Sequence, residues 1–266
     1  MGQNFLANQK ISKKIAEISL GGSRGDACGA IEIGPGTGEL TRELCAAYKK
    51  VVAIELDSDF GPILKETLFG LENIKIIFGD ILKIDLSALV QKEFAGFDKI
   101  NICANLPYYI TTPIILKLVK SKADLGSITI MAQKEAADRL CIAAGEKNCT
   151  AASVALCYYG EAKKVLSVPS SDFYPQPKVS STVVHICPRA EKIADPKNEE
   201  LMYRLIEAAF GQRRKTLVNA LFSELKIDKA KLAAYVAKIA GDCNIRGEEL
   251  DIKAFSELSD LIFENN

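Results

Sequence analysis

One histidine, His185, is all that the chain has in 266 residues. It falls in an apparent strand, 181–186, and reads there as a strand residue with a satisfied ring. Histidine-based triads and histidine-rich metal sites are thereby nearly excluded. No C-x-x-C pair occurs among the eight cysteines, so no metal site is expected. Most of them sit in apolar runs and read as small buried hydrophobes with reduced thiols. Net charge is lacking too, because 34 Lys and Arg balance 34 Asp and Glu. Any nucleic-acid contact must therefore rest on a local patch. No run approaches the roughly 18 apolar residues of a membrane span, and residues 1–10 show no charged-then-apolar signal pattern. A cytoplasmic protein without membrane contact is expected. Repeats and low-complexity segments are absent as well.

What is present is organised around Ala30-Ile31-Glu32-Ile33-Gly34-Pro35-Gly36-Thr37-Gly38. The first four residues suit a buried parallel strand, and a helix is expected after Gly38. Glycines there allow a tight turn and let a ligand approach its amides. The spacing is G-x-G-x-G, not the G-x-G-x-x-G of dinucleotide folds, which points from NAD towards S-adenosylmethionine (SAM). A plain tight turn would have the same letters, so the rest of the chain must decide.

In order, an amphipathic helix is expected over the first 20 residues, with Ile11, Ile15 and Ile18 on one stripe and Lys10, Lys13 and Lys14 off it. Strands follow at 30–33, 51–54, 74–78, 97–104 and 127–132, with helices between them, including 40–48. One helix is expected to start with Thr112 as cap and Pro113 as first residue, and others at 136–144 and 151–159. The segments 162–168 and 179–186 look like a closing hairpin around a stiff, proline-rich loop, 169–178. After Pro188 only helices are indicated, at 201–210, 213–222, 229–239 and 253–263. This is a doubly wound α/β fold of a Rossmann-like kind, with a boundary placed near Arg189: a catalytic domain 1–188 and a small all-α domain 189–266.

Three carboxyl-terminal strand ends carry chemistry. Glu55 follows the glycine turn by about 20 residues, where a carboxylate accepts from ribose hydroxyls; a helix-capping acid is the other reading. Asp80 occupies the matching place after residues 74–78. Asn105-Leu106-Pro107-Tyr108 ends the fourth strand and matches the [N/D]-[P/L]-P-[Y/F] pattern of enzymes that methylate an exocyclic amine of a base. An adenine N6 is a poor nucleophile with two N–H donors. A side-chain amide oxygen at Asn105 and the Leu106 carbonyl can accept both and stabilise the charge that the nitrogen gains. Pro107 stiffens the turn, and Tyr108 offers a face for a flipped base. An ordinary strand-end turn is the alternative. Arg213, Arg214 and Lys215 form a basic run that either tracks phosphates or is a solvated helix face, with Lys10, Lys13 and Lys14 a weaker second candidate.

Taken together these motifs resemble the KsgA-type ribosomal RNA adenine dimethyltransferases, nearly end to end. The resemblance also covers Gly2-Gln3-Asn4-Phe5-Leu6, Gln133-Lys134-Glu135, residues 173–179 and Gly211-Gln212-Arg213-Arg214-Lys215-Thr216. It implies a class I SAM-dependent methyltransferase sheet with a helical C-terminal domain that contacts RNA. Asn4 and Leu6 would close over SAM, Gly34 and Gly36 face its methionine end, and Glu55 bind its ribose. Asp80 would hold the adenine amine, Asn105 touch both cofactor and target base, and Phe173 sandwich that base opposite Tyr108. The implied substrate is a pair of adjacent adenosines in the 3′-terminal hairpin of small-subunit rRNA, each taken to N6,N6-dimethyladenosine. The implied partner is a 30S assembly particle, met by a monomer.

Two departures stand out. Members usually carry a basic leader, whereas only Met1 precedes Gly2, so either the chain is shortened or that arm's RNA contact is missing. Position 109 is Tyr where some members have Asn. The alternatives are a large-subunit rRNA adenine methylase of the macrolide-resistance type, or a ribosome-assembly factor that binds without needing turnover. A DNA adenine methylase is disfavoured, since nothing resembles a sequence-reading module.

Overall fold

A computed structural model describes residues 4–23, 27–107 and 110–265. In chain order its elements are β1 (Phe5–Leu6), α1 (Gln9–Ser19), β2 (Cys28–Ile33), α2 (Glu39–Ala47), β3 (Lys50–Glu55), α3 (Gly61–Thr67), β4 (Ile74–Phe78), α4 (Leu86–Glu93), β5 (Lys99–Asn105) and α5 (Thr111–Val119). There follow β6 (Ile128–Gln133), α6 (Lys134–Leu140), α7 (Ala151–Tyr159), β7 (Gly160–Val168), β8 (Phe173–Tyr174), β9 (Ser181–Pro188), α8 (Glu199–Gly211), α9 (Leu217–Leu225), α10 (Lys229–Ala240) and α11 (Ile252–Asn265).

Seven strands form one sheet in the order β4-β3-β2-β5-β6-β9-β7. The β4-β3-β2-β5-β6 part is parallel and β9 runs antiparallel to β6. Chain order steps one way from β2 and then returns to its other side at β5, so the switch point lies between these two strands. Every residue of β2 is buried, as expected of a strand covered on both faces. Register does the positioning. Ile33 pairs with Ile54 and Ala104, Glu55 with Phe78, and Asn105 with Met131. The residues after β2, at the end of β3 and at the end of β5 therefore share one edge of the sheet.

Local chemistry explains the helix starts. Asn8 caps α1 by accepting from the Lys10 amide, and Asp85 caps α4 by accepting from Ser87 and Ala88. Helix α5 begins at Thr111, earlier than the Thr112-Pro113 reading. The Thr111 hydroxyl donates to the Pro107 carbonyl at 3.2 Å, and Pro113 falls in the first turn, where a missing N–H costs nothing. Helix α6 likewise starts at once after β6 and ends at Leu140, short of the expected 144.

Towards the amino ends of β3, β5 and β6 lies a buried polar network. The Tyr48 hydroxyl is 2.8 Å from Ser19 Oγ and accepts from Asn101 Nδ2, while Asn101 Oδ1 accepts from the Ser127 amide. Ser127 Oγ donates to the Ser19 carbonyl, which ties α1 to β6. His185 is half-buried with Nδ1 2.9 Å from Thr129 Oγ1, and its burial lowers its pKa. All eight cysteines are unbridged, with Cys28, Cys45, Cys103 and Cys149 buried and Cys187 exposed.

The chain divides into two compact units, Met1–Asp138 with Ala162–Pro188, and Arg139–Glu161 with Arg189–Asn266. The single boundary placed near Arg189 is thus only one of three. Residues 139–161, expected in the first domain, pack with the C-terminal helices. The sequence hides this because α7 is buried on nearly every side, so its periodicity marks no outer face. Within the second unit Tyr158 and Tyr203 meet edge to face at 5.9 Å. The Arg213 guanidinium donates to the Cys149 carbonyl at 2.8 Å.

Gly29 of β2 is a steric requirement. A Cβ there would lie 2.3 Å from a ring carbon of Phe94, itself buried. Gly29→Ala is therefore expected to destabilise the chain by about 1–3 kcal/mol through overpacking, read as a lower midpoint in thermal or urea unfolding.

Candidate active site

The turn after β2 has three left-handed glycines, Gly34, Gly36 and Gly38, at φ +72°, +56° and +89°. Gly34 donates to the Ile54 carbonyl at 2.9 Å and Gly38 to that of Pro35 at 2.9 Å. The Gly36 amide donates to Glu55 Oε2 at 3.0 Å, and the Asp57 amide to Glu55 Oε1 at 3.0 Å. Glu55 is thus held at both oxygens by backbone while only 4% exposed. Each oxygen keeps acceptor capacity for a further donor. On the open side of the turn, a Cβ on Gly34 would meet nothing within 4 Å.

This open side faces a cavity of about 240 Å³. Its far wall is the end of β5: Asn105, Leu106 and Pro107. The Leu106 amide donates to the Met131 carbonyl at 3.0 Å, which fixes the peptide between the two strand ends. The front wall is a two-stranded sheet in which β1 pairs antiparallel with β8, Phe5 opposite Tyr174 and Leu6 opposite Phe173. Asn8 Nδ2 donates to Asp172 Oδ1 at 2.9 Å, and the Ala7 amide to the Asp172 carbonyl at 2.8 Å. The Phe5 ring rests edge-on against Phe60 at 5.7 Å and closes over Gly36, where an added Cβ would sit 3.0 Å from it.

Of the residues singled out in the sequence, the structure brings Asn4, Leu6, Gly34, Gly36, Glu55, Asn105, Leu106, Pro107 and Phe173 to this cavity. Asp80 stands after β4 at the same sheet edge but does not line it; its Oδ1 accepts from the Leu82 amide at 3.0 Å. Tyr108, with Gly2, Gln3 and Tyr109, lies outside the described residues. Arg213, Arg214 and Lys215 belong to the second unit. They form an exposed turn between α8 and α9 and not the start of a helix, because Lys215 donates back to the Gln212 carbonyl and Thr216 is extended.

The sequence reading assigned no role to Glu32 or Gln133, both of which line the cavity. Each had a signal: Glu32 is the only charged side chain in an otherwise apolar strand, and Gln133 ends β6. Burial raises the Glu32 carboxyl to about 8, with the neighbouring Glu55 charge adding to the effect and Thr41 opposing it. Among the described residues no three His, Cys, Asp or Glu side chains gather as metal ligands.

A sequence profile of the family described as "Ribosomal RNA adenine dimethylase" matches residues 1–259. The chain belongs to the ribosomal RNA adenine dimethylase family. A similar curated protein is the "Ribosomal RNA small subunit methyltransferase A" of Geobacillus thermodenitrificans, 42% identical over 265 residues, 98% of this chain and 89% of that one. Among solved structures, a dimethyladenosine transferase from Plasmodium falciparum aligns with a TM-score of 0.70 at 27% identity, over 96% of this chain and 95% of that one. The 23S rRNA methyltransferase ErmE aligns at 0.64 and 23% identity, over 97% and 99%, a likeness of fold alone. As a member of the dimethylase family the chain is a methyltransferase with the class I α/β sheet and added C-terminal helices.

The front wall can be loosened selectively. Gly36→Ala places a side chain at φ +56° against Phe5, a strained conformation costing about 1–2 kcal/mol. Faster hydrogen exchange at the Ala7 amide is expected, with the exchange of β2 and β5 unchanged.

Proposed function

We propose that this chain transfers methyl groups from SAM to N6 of two adjacent adenosines in the 3′-terminal hairpin loop of small-subunit rRNA, forming N6,N6-dimethyladenosine during ribosome assembly. The observation that carries this reading is the meeting of the glycine turn, Glu55 and Asn105 around one cavity. Family membership supports adenine as the base, and the name of the Geobacillus relative supports the small subunit.

The cavity fits the cofactor's chemistry. Gly34 leaves an open cradle, and Glu55 retains acceptor capacity while its orientation is fixed. Gly34 and Gly36 would take the methionine end, Glu55 the ribose hydroxyls, and Asn4 and Leu6 the cover. Asp80, at the same edge but off the cavity wall, is assigned to the adenine amine by resemblance. When bound, SAM supplies an electrophilic methyl group.

The chain's own part is to aim and stabilise the amine. Asn105 Oδ1 and the Leu106 carbonyl accept its two hydrogens, which favours a pyramidal nitrogen and offsets the positive charge gained in attack. No base need act first, since the proton can leave once the nitrogen is cationic. Phe173, only 5% exposed in the front wall, stacks on the base opposite Tyr108. Holding the reactants in line contributes up to about 7–11 kcal/mol.

The enzyme acts as a cytoplasmic monomer on a 30S assembly particle. No helix among the described residues is long and apolar enough to cross a membrane. Arg214 and Lys215, exposed in the second unit, contact rRNA phosphates, with Arg213 anchored to Cys149 beside them.

Labelled methyl transfer to unmethylated 30S particles, followed by mass spectrometry of the rRNA, tests the reading. Two dimethylated adenosines in the 3′-terminal hairpin are expected; a folded, SAM-binding protein that incorporates nothing would overturn it, as would a modified large-subunit adenosine. Asn105→Ala should lower the single-turnover rate by roughly 10²–10³. Replacing Arg214 and Lys215 with alanine should weaken rRNA binding and flatten its salt dependence by about one charge per residue, leaving SAM binding unchanged.

A further inference from the structure

Phe173 and Tyr174 are consecutive on β8, yet their surroundings are opposite. Phe173 is buried and lines the cavity, whereas Tyr174 is 77% exposed. Successive side chains of a strand point to opposite faces, so the backbone that turns Phe173 inward turns Tyr174 outward. Pairing with Phe5 of β1 fixes that backbone. A single exposed aromatic needs no explanation on its own. What sets this one apart is the charge beside it.

The start of α1 is tied to the approach to β8. The Lys10 amide donates to Asn8 Oδ1, and Asn8 Nδ2 donates to Asp172 Oδ1, two residues before Tyr174. Lys10, Lys13 and Lys14 follow at i, i+3 and i+4, which places them on one flank of the helix. All three are exposed, and none has a carboxylate within 4 Å among the described residues. The first turn of α1 holds no acid, although the positive end of a helix favours one. Three like charges at this spacing also oppose the helix. The apolar side of α1 is used up in the core, with Ile15 and Ala16 each 1% exposed, so no free face remains to lie on a lipid surface.

We propose that Tyr174 and the lysine flank of α1 form a platform for single-stranded RNA, which holds a nucleotide next to the target adenosine. This rests on the rRNA reading of the cavity. Phe173 receives the target base there, and Tyr174, the next residue, offers a stacking face to its neighbour outside. Aromatic faces in series beside a basic track hold unpaired bases in general. Lys10 and Lys14 stand about 6 Å apart along the helix axis, close to one nucleotide step, and meet successive phosphates. A hairpin loop supplies unpaired nucleotides, and extruding one base strips its neighbour of a stacking partner. Tyr174 replaces that lost contact. An acidic peptide would satisfy the lysines but would leave the ring's place beside a base site without a role.

Binding of the full chain, loaded with S-adenosylhomocysteine, to unmethylated 30S particles over a salt series tests the platform. Single-turnover methylation with SAM on the same particles accompanies it. Tyr174→Ala should raise the half-saturating particle concentration at least about fivefold, with the rate at saturation within about twofold of wild type. Tyr174→Phe keeps the ring face and should bind within about twofold of wild type. Replacing Lys10, Lys13 and Lys14 with glutamine should lower the salt slope by about 0.7 for each lysine on a phosphate, and leave SAM affinity unchanged. Ultraviolet crosslinking of wild type, read by mass spectrometry, should join Tyr174 to a nucleotide flanking the adenosine pair.

Wild-type affinity and salt slope in these variants overturn the proposal. So does a Tyr174→Phe as weak as Tyr174→Ala, which assigns the effect to the hydroxyl, or a Tyr174 crosslink to a ribosomal protein. Wild type that methylates normally while every variant matches it sinks the platform alone. Wild type that methylates no small-subunit adenosine sinks the rRNA reading and the platform with it. Should a variant fail to fold, the crosslink on wild type decides.

Discussion

One backbone amide holds the geometry of the first unit's cavity together: Gly36 N–H, donating to Glu55. It joins the turn after β2 to the end of β3, so that a loop which could take many shapes takes one. Its strength comes from the charge on the acceptor and from the burial that keeps water from competing. Parallel register brings the partners within reach, because Ile33 and Ile54 are paired one step earlier. The same register carries Asn105 to the cavity from the other side of β2. Site and sheet are therefore one construction, and a slip of one residue between β2 and β3 would dismantle both.

The buried polar groups of the first unit follow two different rules. Ser19, Tyr48, Asn101 and Ser127 satisfy one another completely enough to bind α1 to the sheet without a ligand. Glu32, one strand away, is left incomplete. Folding tolerates such an acid only at a cost. The first unit thus contains a settled polar cluster and an unsettled one.

Much of the sheet was legible because its signals are local. Residues 74–78 read as a strand and are one, and the glycine turn marked the cavity edge through conformations that only glycine adopts easily. Glu55 and Asn105 were legible because each directly ends a strand. What escaped was what depends on partners distant in sequence. Phe173 and Tyr174 form a strand only because Phe5 and Leu6 lie beside them, and a proline-rich loop gives no sign of that. Arg213 to Lys215 read as a helix start since nothing in their types forbids it; a return hydrogen bond to Gln212 makes them a turn. The segment 139–161 joined the wrong domain because an apolar helix does not say which core it enters.

The pairing of β1 with β8 has a consequence for the order in which the enzyme takes shape. Asn8 and Asp172 are 164 positions apart, and nearly the whole sheet is threaded between them. Closing so long a loop is entropically unfavourable until the intervening strands have docked and shortened it. The front wall of the cavity must therefore be among the last parts to assemble. During synthesis the chain's first strand emerges early and waits unpaired, while the pocket it will cover is already built. The cavity is then enclosed late and all at once, when β1 and β8 meet.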